Sequence, residues 1–268
     1  MIKTDSIYLA SHKSAHPCQD YAKHTDKSVV LSDGCSSCKD TDIGARLLVT
    51  ATLNWDGMNF PYDDIIHTAK GYSGKMNYSD LILSGTLLYG EYYQPSNLFS
   101  CKLFGDGVLI ARYRDTKKLI IKEIEFPSGA PFYPLYKYNS KYYDDYIKKY
   151  GPEYKIKEYH MNFNAMSEIS LNVREHMPYE AIFDVEEFDM IVLMSDGIKS
   201  FKKNINTETS KTTKDVSILD IIPEFINFKN TGKDFLKRRV NSAMKKFNQE
   251  GVYNYDDLSI AVMLDVLT

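Results

Sequence analysis

The stretch Met190–Gly197, which reads MIVLMSDG, is an unbroken apolar run that ends in Ser-Asp-Gly. The same pattern closes Val29–Gly34 (VVLSDG), and Leu103–Gly107 (LFGDG) ends in Asp-Gly as well. A fourth acidic point, Asp256-Asp257, comes directly before the alternating segment 258–266. Short apolar runs of this length are typical of buried strands, and Asp-Gly pairs at their ends are typical of turns. The chain therefore places carboxylates at the ends of several core strands.

A carboxylate held at the end of a rigid strand is a good ligand for a hard cation. The glycine after it allows a sharp turn and offers its own carbonyl oxygen. Because four such points are spread over the whole chain, they indicate one acidic metal cluster that is assembled by folding. Ordinary hairpin turns are the alternative, since Asp-Gly is the commonest tight-turn signal. The repetition of Ser-Asp-Gly after an apolar strand favours the metal cluster.

The order of the motifs along the chain is more specific than any one of them. In sequence they are His12, Cys18-Gln19-Asp20, Leu31–Gly34 with Gly44-Ala45, Ser84–Thr86, Gly105–Gly107, Met194–Gly197 and Asp256–Ser259. This ordered set resembles the metal-dependent protein phosphatases of type 2C. Within them it is similar to the divergent bacterial branch, whose opening reads Ser-His … Cys-Gln-Asp rather than Arg … Asn-Glu-Asp. The resemblance spans about residue 7 to the end of the chain.

The pattern of elements predicts an α+β fold, because strands in two blocks with helices grouped between them favour packed layers over a doubly wound parallel sheet. The resemblance implies a four-layer α-β-β-α sandwich of two antiparallel sheets flanked by helices, with the metals at one edge. We expect a single phosphatase domain over residues 1–268, with an irregular Tyr/Lys-rich lobe around 126–159 beside the site. That lobe suits either a partner peptide or a plain surface insertion. Polar residues 202–215 are predicted to form a loop.

Composition is that of a soluble globular protein, since 268 residues at 43% hydrophobic content can bury a full core. The formal net charge of −3 gives no support for nucleic acid or an anionic membrane as an obligatory partner. No apolar run approaches the roughly 20 residues that span a bilayer. The start, Met1–Tyr8, lacks the apolar stretch of a secretory signal. We therefore expect a cytoplasmic protein.

The resemblance implies a site for two divalent ions. Asp33 would bridge them, and the carbonyl of Gly34 would complete one coordination shell. Asp196 and Asp256 would hold the first ion, and Asp20 would hold the second directly or through water. Oxygen ligands of this kind select magnesium or manganese over zinc.

A third ion is in doubt. Asp106 matches an aspartate that helps to bind a weak third ion in some members of the family. Its companion position, four residues after Asp196, is Ser200 rather than an acid. Asp106 could therefore serve only to close a turn.

Two positions depart from the family pattern. The arginine that many members carry five residues before the first aspartate is Ala15 here, and the histidine that often follows the first Asp-Gly is Cys35. His12 is the candidate for either missing role, because imidazole can hydrogen-bond phosphate or donate a proton near neutral pH. A structural loop histidine is the alternative. Further candidates for phosphate binding are Lys13 and Arg46.

The pair Cys35 and Cys38 has the spacing of half a zinc ribbon, but no second pair is present to complete it. Reduced thiols are the simplest interpretation for a cytoplasmic protein. Their closeness to the predicted site also makes them candidates for oxidative inactivation. A zinc-thiol redox protein is a remote alternative function.

The motifs together predict a serine/threonine phosphatase in which water that bridges the metals attacks phosphoserine or phosphothreonine without a covalent phosphoenzyme. The expected partners are a phosphorylated protein substrate and a cognate bacterial serine/threonine kinase. The alternative is a pseudophosphatase, a weak or inactive module that binds phosphoproteins. The missing arginine and histidine favour that alternative. The four aspartates argue against it, because a dead site has no physical need for converging, mutually repelling carboxylates.

Overall fold

The computed structural model describes residues 1–268 apart from 13, 15, 56–60, 162–164, 207–210 and 267–268. Its strands, in chain order, are β1 (Ile2–Leu9), β2 (Asp20–His24), β3 (Ser28–Asp33), β4 (Leu87–Tyr93), β5 (Leu98–Phe104), β6 (Gly107–Tyr113), β7 (Leu119–Glu125), β8 (Glu153–His160), β9 (Ala165–Asn172), β10 (Tyr179–Asp184), β11 (Phe188–Met194), β12 (Phe201–Asn206), β13 (Lys211–Asp215), β14 (Val252–Asn254) and β15 (Leu258–Asp265). Its helices are α1 (Thr41–Leu53), α2 (Tyr62–Lys75), α3 (Pro134–Tyr138), α4 (Ser140–Tyr150), α5 (Val173–His176), α6 (Ile218–Ile226) and α7 (Phe235–Gln249). None of the helices among these residues is both long and apolar enough to cross a lipid bilayer.

The strands pair into two large sheets and one small sheet. The largest has the order β1-β15-β11-β6-β7-β8-β9, and the second has the order β10-β5-β4-β3-β2. The pairs in both are antiparallel. The small sheet, β13-β12-β14, lies apart from these two.

The large sheets stack because their core strands alternate between two faces. On β11, Ile191 and Leu193 belong to the core shared with the five-stranded sheet, whereas Met190 and Val192 belong to a second core under α6 and α7. This alternation is the period of a strand buried on both faces. α1 packs on β2 and β3, at the other side of the five-stranded sheet. The structure therefore confirms the α+β class and the four-layer α-β-β-α sandwich.

The predicted irregular lobe is wrong for most of its length, because residues 126–159 contain α3, α4 and most of β8. Aromatic packing is the physical reason. Phe132 is fully buried, and its ring lies 6.1 Å from Phe104 in the core and 5.0 Å from Tyr146 in α4. The tyrosines that suggested an irregular surface thus anchor two helices to the sandwich. The organisation of the chain as a single domain stays a prediction.

The predicted loop at 202–215 is also wrong, since its described residues form the strands β12 and β13. β12 pairs on its other side with β14, which follows α7 in the chain. That pairing is non-local, and the polar composition of the segment gives no signal for it. Lys202 and Asp215 face each other across the hairpin at 3.2 Å.

The two sheets bring the acidic strand ends to one edge of the sandwich. In the five-stranded sheet, Asp20 at the start of β2 lies directly opposite Asp33 at the end of β3. In the seven-stranded sheet, Asp106 precedes β6, Asp196 follows β11 by one residue, and Asp256 precedes β15. Because β11 pairs with both β6 and β15, these last three carboxylates meet at the same edge.

Alanine substitutions at two helix glycines test this packing, and we expect them to change the free energy of unfolding in opposite directions. A Cβ on Gly44 of α1 would lie 1.6 Å from the carbonyl oxygen of Ile82, so Gly44→Ala must push the helix away. We expect it to lower the free energy of unfolding by about 1–3 kcal/mol or more. Apart from its chain neighbours and the backbone of its own helix, no described heavy atom lies within 4 Å of such a Cβ at Gly71 of α2.

Gly71→Ala should therefore raise the free energy of unfolding by about 0.5–1 kcal/mol, because alanine is the better helix former. Urea unfolding of both variants measures the two effects. A stable Gly44→Ala protein would contradict the close approach of α1 to residue 82.

Candidate metal centre

A pocket of about 470 Å³ opens at this edge of the sandwich. Its floor is acidic, and its other walls come from the loop after β3 and from the α3–α4 region. The carboxylates that line it are Asp33, Asp106, Asp196, Asp256 and Asp257. None of the described residues that line this pocket is a lysine, an arginine or a histidine.

Burial and mutual repulsion make this cluster costly to ionise. Burial raises the pKa of Asp33 well above its ordinary value, and the neighbouring charges of Asp20 and Asp196 raise it further. Burial likewise raises the pKa of Asp106, with Asp196 and Asp256 adding to the effect. A cation at the cluster would relieve the repulsion, so the pocket favours positive charge.

The backbone of Asp33 is fixed by Thr86. The amide of Asp33 donates to the Thr86 hydroxyl at 3.0 Å, and the amide of Thr86 donates to the Asp33 carbonyl at 2.8 Å. The next residue, Gly34, has no space for a side chain, because a Cβ there would lie 2.7 Å from the carbonyl oxygen of Thr41. Asp33 therefore stands on a rigid strand end with α1 packed closely behind it.

The second Ser-Asp-Gly motif also depends on close backbone approach. A Cβ on Gly197 would lie 1.7 Å from the carbonyl oxygen of Asp257. Neither Gly34 nor Gly197 has a positive φ angle. Glycine is thus required at both positions because the close packing of two acidic segments leaves no space for a side chain. In a hairpin turn, by contrast, glycine would be required for its left-handed backbone.

Asp20 lies behind the pocket and does not line it. It is 1% exposed, and the Ser195 hydroxyl donates to its Oδ2 at 2.6 Å. The amide of Ser259 in turn donates to Ser195 Oγ at 2.9 Å, which orients that hydroxyl. Burial raises the pKa of Asp20 to about 7. Within the described part of the chain, Asp20 Oδ1 is buried without a hydrogen-bond partner. A buried carboxylate oxygen of this kind fits a bound cation or water molecule as its partner.

Gln19 is the neighbouring residue that lines the pocket instead. Its amide nitrogen donates to the Thr41 hydroxyl at 2.8 Å, which holds the side chain in place. Its amide oxygen is a candidate ligand that the motif reading missed. Adjacent residues in an extended segment point to opposite faces, so Gln19 lines the pocket while the side chain of Asp20 is buried next to it. This alternation is the signal that could have identified Gln19.

The structure distinguishes between the two adjacent aspartates before β15. Asp257 accepts hydrogen bonds from the amide of Ser11 at 2.7 Å and from the amide of Gln19 at 2.6 Å. Both of its oxygens are thus used to hold the two ends of the loop from Ser11 to Gln19. Asp256 is exposed, and its amide donates to the Ser200 hydroxyl at 3.0 Å. Asp256 is therefore the more accessible of the two carboxylates, and its role as a metal ligand stays a prediction.

Lys199 is a second residue that the sequence reading missed. Its ammonium lies 3.3 Å from Glu123 Oε1. Burial alone would lower the pKa of Lys199, but the charges of Glu123, Asp196 and Asp106 outweigh it and raise the pKa. The chain therefore carries its own cation beside Asp106. The spacing of Lys199 from Asp196 gave no family signal for this contact.

Two of the predicted phosphate-binding residues, His12 and Arg46, are not among the residues that line the pocket. The His12 ring stacks on Tyr253 with the centroids 4.1 Å apart, and His12 does not line the pocket. The Arg46 guanidinium lies 4.6 Å from the centroid of the Tyr21 ring. Lys13 and Ala15 fall outside the described residues. The role predicted for His12 stays a prediction, without support from this geometry.

The donor set fits a hard cation by its chemistry, since it consists of carboxylate and amide oxygens around a buried oxygen that lacks a partner. The coordination geometry is not preformed. Among the described residues, no group of three or more His, Cys, Asp or Glu side chains is arranged to hold a metal ion as it stands. Instead Asp20, Asp33 and Asp196 lie close enough that the charges of Asp20 and Asp196 raise the pKa of Asp33. Binding a cation would require these side chains to turn.

Comparison with known proteins identifies the fold. No protein-family model matches this sequence, and no curated protein matches it. Solved structures do match in shape. The serine/threonine phosphatase PstP from Mycobacterium tuberculosis superimposes with a TM-score of 0.52 at 10% identity, over 98% of both chains. Stp1 from Staphylococcus aureus superimposes with a TM-score of 0.52 at 11% identity, over 100% of this chain and 96% of that one.

A third match is the catalytic domain of PstP in complex with two manganese ions. Its TM-score is 0.52 at 12% identity, over 98% of this chain and 97% of that chain. At such low identities the likeness shows the fold alone. The chain has the fold of the type 2C serine/threonine phosphatases, which confirms the resemblance that the motifs predicted.

Asp257 accepts hydrogen bonds from the amides of Ser11 and Gln19, and this clamp on the loop leads to a prediction about stability. Asp257→Asn exchanges one acceptor oxygen for an amide donor that faces a backbone amide, so one buried N–H loses its partner. We expect the free energy of unfolding in chelator to fall by about 1–3 kcal/mol. Asp256→Asn is the matched control and should have little effect there, because it keeps the oxygen that accepts from the Asp257 amide. Equal stability of both variants would exclude the clamp.

Proposed function

We propose that this protein is a metal-dependent phosphatase that hydrolyses phosphoserine and phosphothreonine in proteins. The observation that supports this most directly is the acidic pocket, whose described lining includes no Lys, Arg or His. A phosphate ester could not enter such a pocket unless cations from solution first neutralised the carboxylates. The phosphatase fold and the manganese ions bound to PstP support the same conclusion.

Two ions of magnesium or manganese fit the oxygen donors. Asp33 would bridge them, with the carbonyl of Gly34 on one ion, and Asp196 and Asp256 would hold the other. Gln19 and Asp20 would serve the second ion, the first by its amide oxygen and the second directly or through water. When bound, such a pair supplies a water of lowered pKa as nucleophile and neutralises charge on the phosphoryl group.

We do not propose a third ion. Asp106 already has Lys199 as a neighbouring cation. The Ser200 hydroxyl is occupied, because it donates to the Gly197 carbonyl at 2.7 Å and accepts from the amides of Tyr255 and Asp256. Neither a free acid nor a free hydroxyl is left for a third site at these residues.

The chain's own residues have three tasks in this mechanism. Thr86 and the closely packed Gly34 hold the bridging carboxylate in place. Ser195 keeps Asp20 oriented through a hydrogen bond at 2.6 Å. Asp257 holds the loop that carries Gln19. The reaction is direct transfer of the phosphoryl group to water, and the natural partners are a phosphorylated cytoplasmic protein and the kinase that modifies it.

A pseudophosphatase is the second candidate. The specific observation that favours it is that His12 and Arg46 do not line the pocket, so that no described lining residue offers the substrate a positive charge. Such a module would bind phosphoprotein at the same pocket without turnover. Activity measurements separate the two functions.

Metal dependence is the first test of the proposal. Hydrolysis of p-nitrophenyl phosphate should require added manganese or magnesium and should vanish when chelator is added, because oxygen ligands of this kind prefer hard cations. Zinc should support less turnover at equal concentration. Undiminished hydrolysis by a demonstrably metal-free preparation would falsify the metal mechanism. Absence of hydrolysis with every ion, despite bound phosphopeptide, would favour the pseudophosphatase.

The bridging role of Asp33 is tested by Asp33→Asn. This change keeps the size of the side chain but removes the charge that would offset two cations, so turnover should fall by several orders of magnitude. Circular dichroism should show that the fold persists. Asp115→Asn, at an exposed turn between β6 and β7, is the control and should keep wild-type turnover. The bridging assignment would be wrong if Asp33→Asn kept a comparable rate.

A further inference from the structure

The proposed reaction needs more than cations at the phosphoryl group. A phosphate monoester has several anionic oxygens, and those turned away from the metals need hydrogen-bond donors. Since none of the described lining residues is a Lys, Arg or His, the remaining donors are hydroxyl, thiol and amide groups. They lie on the wall formed by the loop after β3 and by the α3–α4 region.

Tyr133 is the buried phenol of that wall. Only 6% of the residue is exposed, although it lines the pocket. It directly follows the core residue Phe132, and its ring lies 5.2 Å from the ring of Tyr136. These contacts fix the ring, so the direction of its hydroxyl is determined by the fold and not by solvent. The hydroxyl is close enough to Asp33 and Asp106 for their charges to act on it.

The neighbour of the Tyr133 hydroxyl is the thiol of Cys35, the residue after Gly34, which lines the same pocket. A thiol sulfur is a poor acceptor compared with a charged oxygen. Burial raises the pKa of Tyr133, so the phenol keeps its proton. A buried phenol that keeps its proton at the wall of the pocket can donate a hydrogen bond to a phosphate oxygen.

The other tyrosines of this region differ from Tyr133. Tyr136 and Tyr150 also line the pocket, but both are more exposed than Tyr133. The Tyr146 hydroxyl donates to the carbonyl of Ala130 at 2.7 Å. Among the tyrosines in the described lining, Tyr133 is thus the buried one.

We propose that the Tyr133 hydroxyl donates a hydrogen bond to a phosphoryl oxygen of the substrate and so replaces a cationic phosphate-binding side chain. This inference rests on the proposed function. It also gives the lobe a role, because α3 and α4 hold the phenol over the acidic floor. A neutral donor of this kind binds the anion without competing with metal ions for the carboxylates.

Tyr133→Phe is the decisive variant, and Tyr146→Phe is its matched control. Both remove one phenolic oxygen from the same lobe, and Tyr146 does not line the pocket. With manganese present, Tyr133→Phe should lower kcat/KM by roughly 10- to 100-fold, the usual effect of losing a hydrogen bond to a charged group. The loss should be equal for a phosphoserine peptide and for p-nitrophenyl phosphate, because the phosphoryl group is common to both. Tyr146→Phe should retain wild-type values.

Direct binding of inorganic phosphate provides a readout that does not depend on turnover. Calorimetric titration of the manganese-loaded protein should give a dissociation constant roughly tenfold or more higher for Tyr133→Phe than for wild type. Unchanged phosphate binding and unchanged kcat/KM in Tyr133→Phe would overturn the inference. A loss confined to the phosphoserine peptide would also overturn it, because the hydroxyl would then serve the leaving oxygen.

The same titration separates this inference from the proposed function. If wild type binds phosphate through Tyr133 but hydrolyses nothing, the inference holds and the enzyme proposal fails. If wild type hydrolyses phosphoserine and Tyr133→Phe does so equally well, the enzyme proposal holds and the inference fails. A wild-type protein that neither binds phosphate nor hydrolyses esters would refute both.

Discussion

Carboxylates that repel one another are forced together at one edge of two rigid sheets, and much of the remaining structure exists to hold them there. Asp20 and Asp33 face each other across β2 and β3, while the ends of three paired strands bring Asp106, Asp196 and Asp256 to the same place. The strands cannot separate without loss of the core that they share. The carboxylates therefore stay close together, and their repulsion raises the pKa values of Asp33 and Asp106. A divalent cation is the simplest agent that can release it.

The supporting contacts reduce the repulsion only in part. Ser195 and Thr86 orient acidic residues by hydrogen bonds, and Lys199 supplies one positive charge from behind. The carboxylate of Asp257 accepts hydrogen bonds from two backbone amides and so holds the loop before β2. None of these contacts adds a positive charge to the described lining of the pocket. The face toward the pocket is left acidic, which is the arrangement expected if ions from solution complete the site.

The sequence predicted structure correctly where neighbouring residues determine it. Apolar runs that end in Ser-Asp-Gly marked β3 and β11 correctly, because strand burial and the following turn are both encoded within a few residues. Prediction from the sequence failed where the structure depends on contacts between residues far apart in the chain. The strands of 202–215 depend on β14, and the helices α3 and α4 depend on the burial of Phe132 in a distant core. His12 was singled out by chemistry, yet its position depends on stacking against Tyr253. Gln19 and Tyr133 were missed because only the assembled edge shows which side chains line the pocket. Lys199 was missed because its ion pair with Glu123 joins residues far apart in the sequence.

The absence of a cationic side chain from the described lining follows from the same repulsion. An arginine or lysine in the pocket would pair with the nearest carboxylate whenever no metal ion was bound, as Lys199 pairs with Glu123 behind it. Such a pair would have to break before a metal could enter, and the broken partners would each be costly to leave partly buried. A phenol cannot neutralise a carboxylate, so it leaves the acidic floor available to metal ions. A neutral donor such as Tyr133 would therefore bind a phosphate oxygen without first pairing with a carboxylate of the floor.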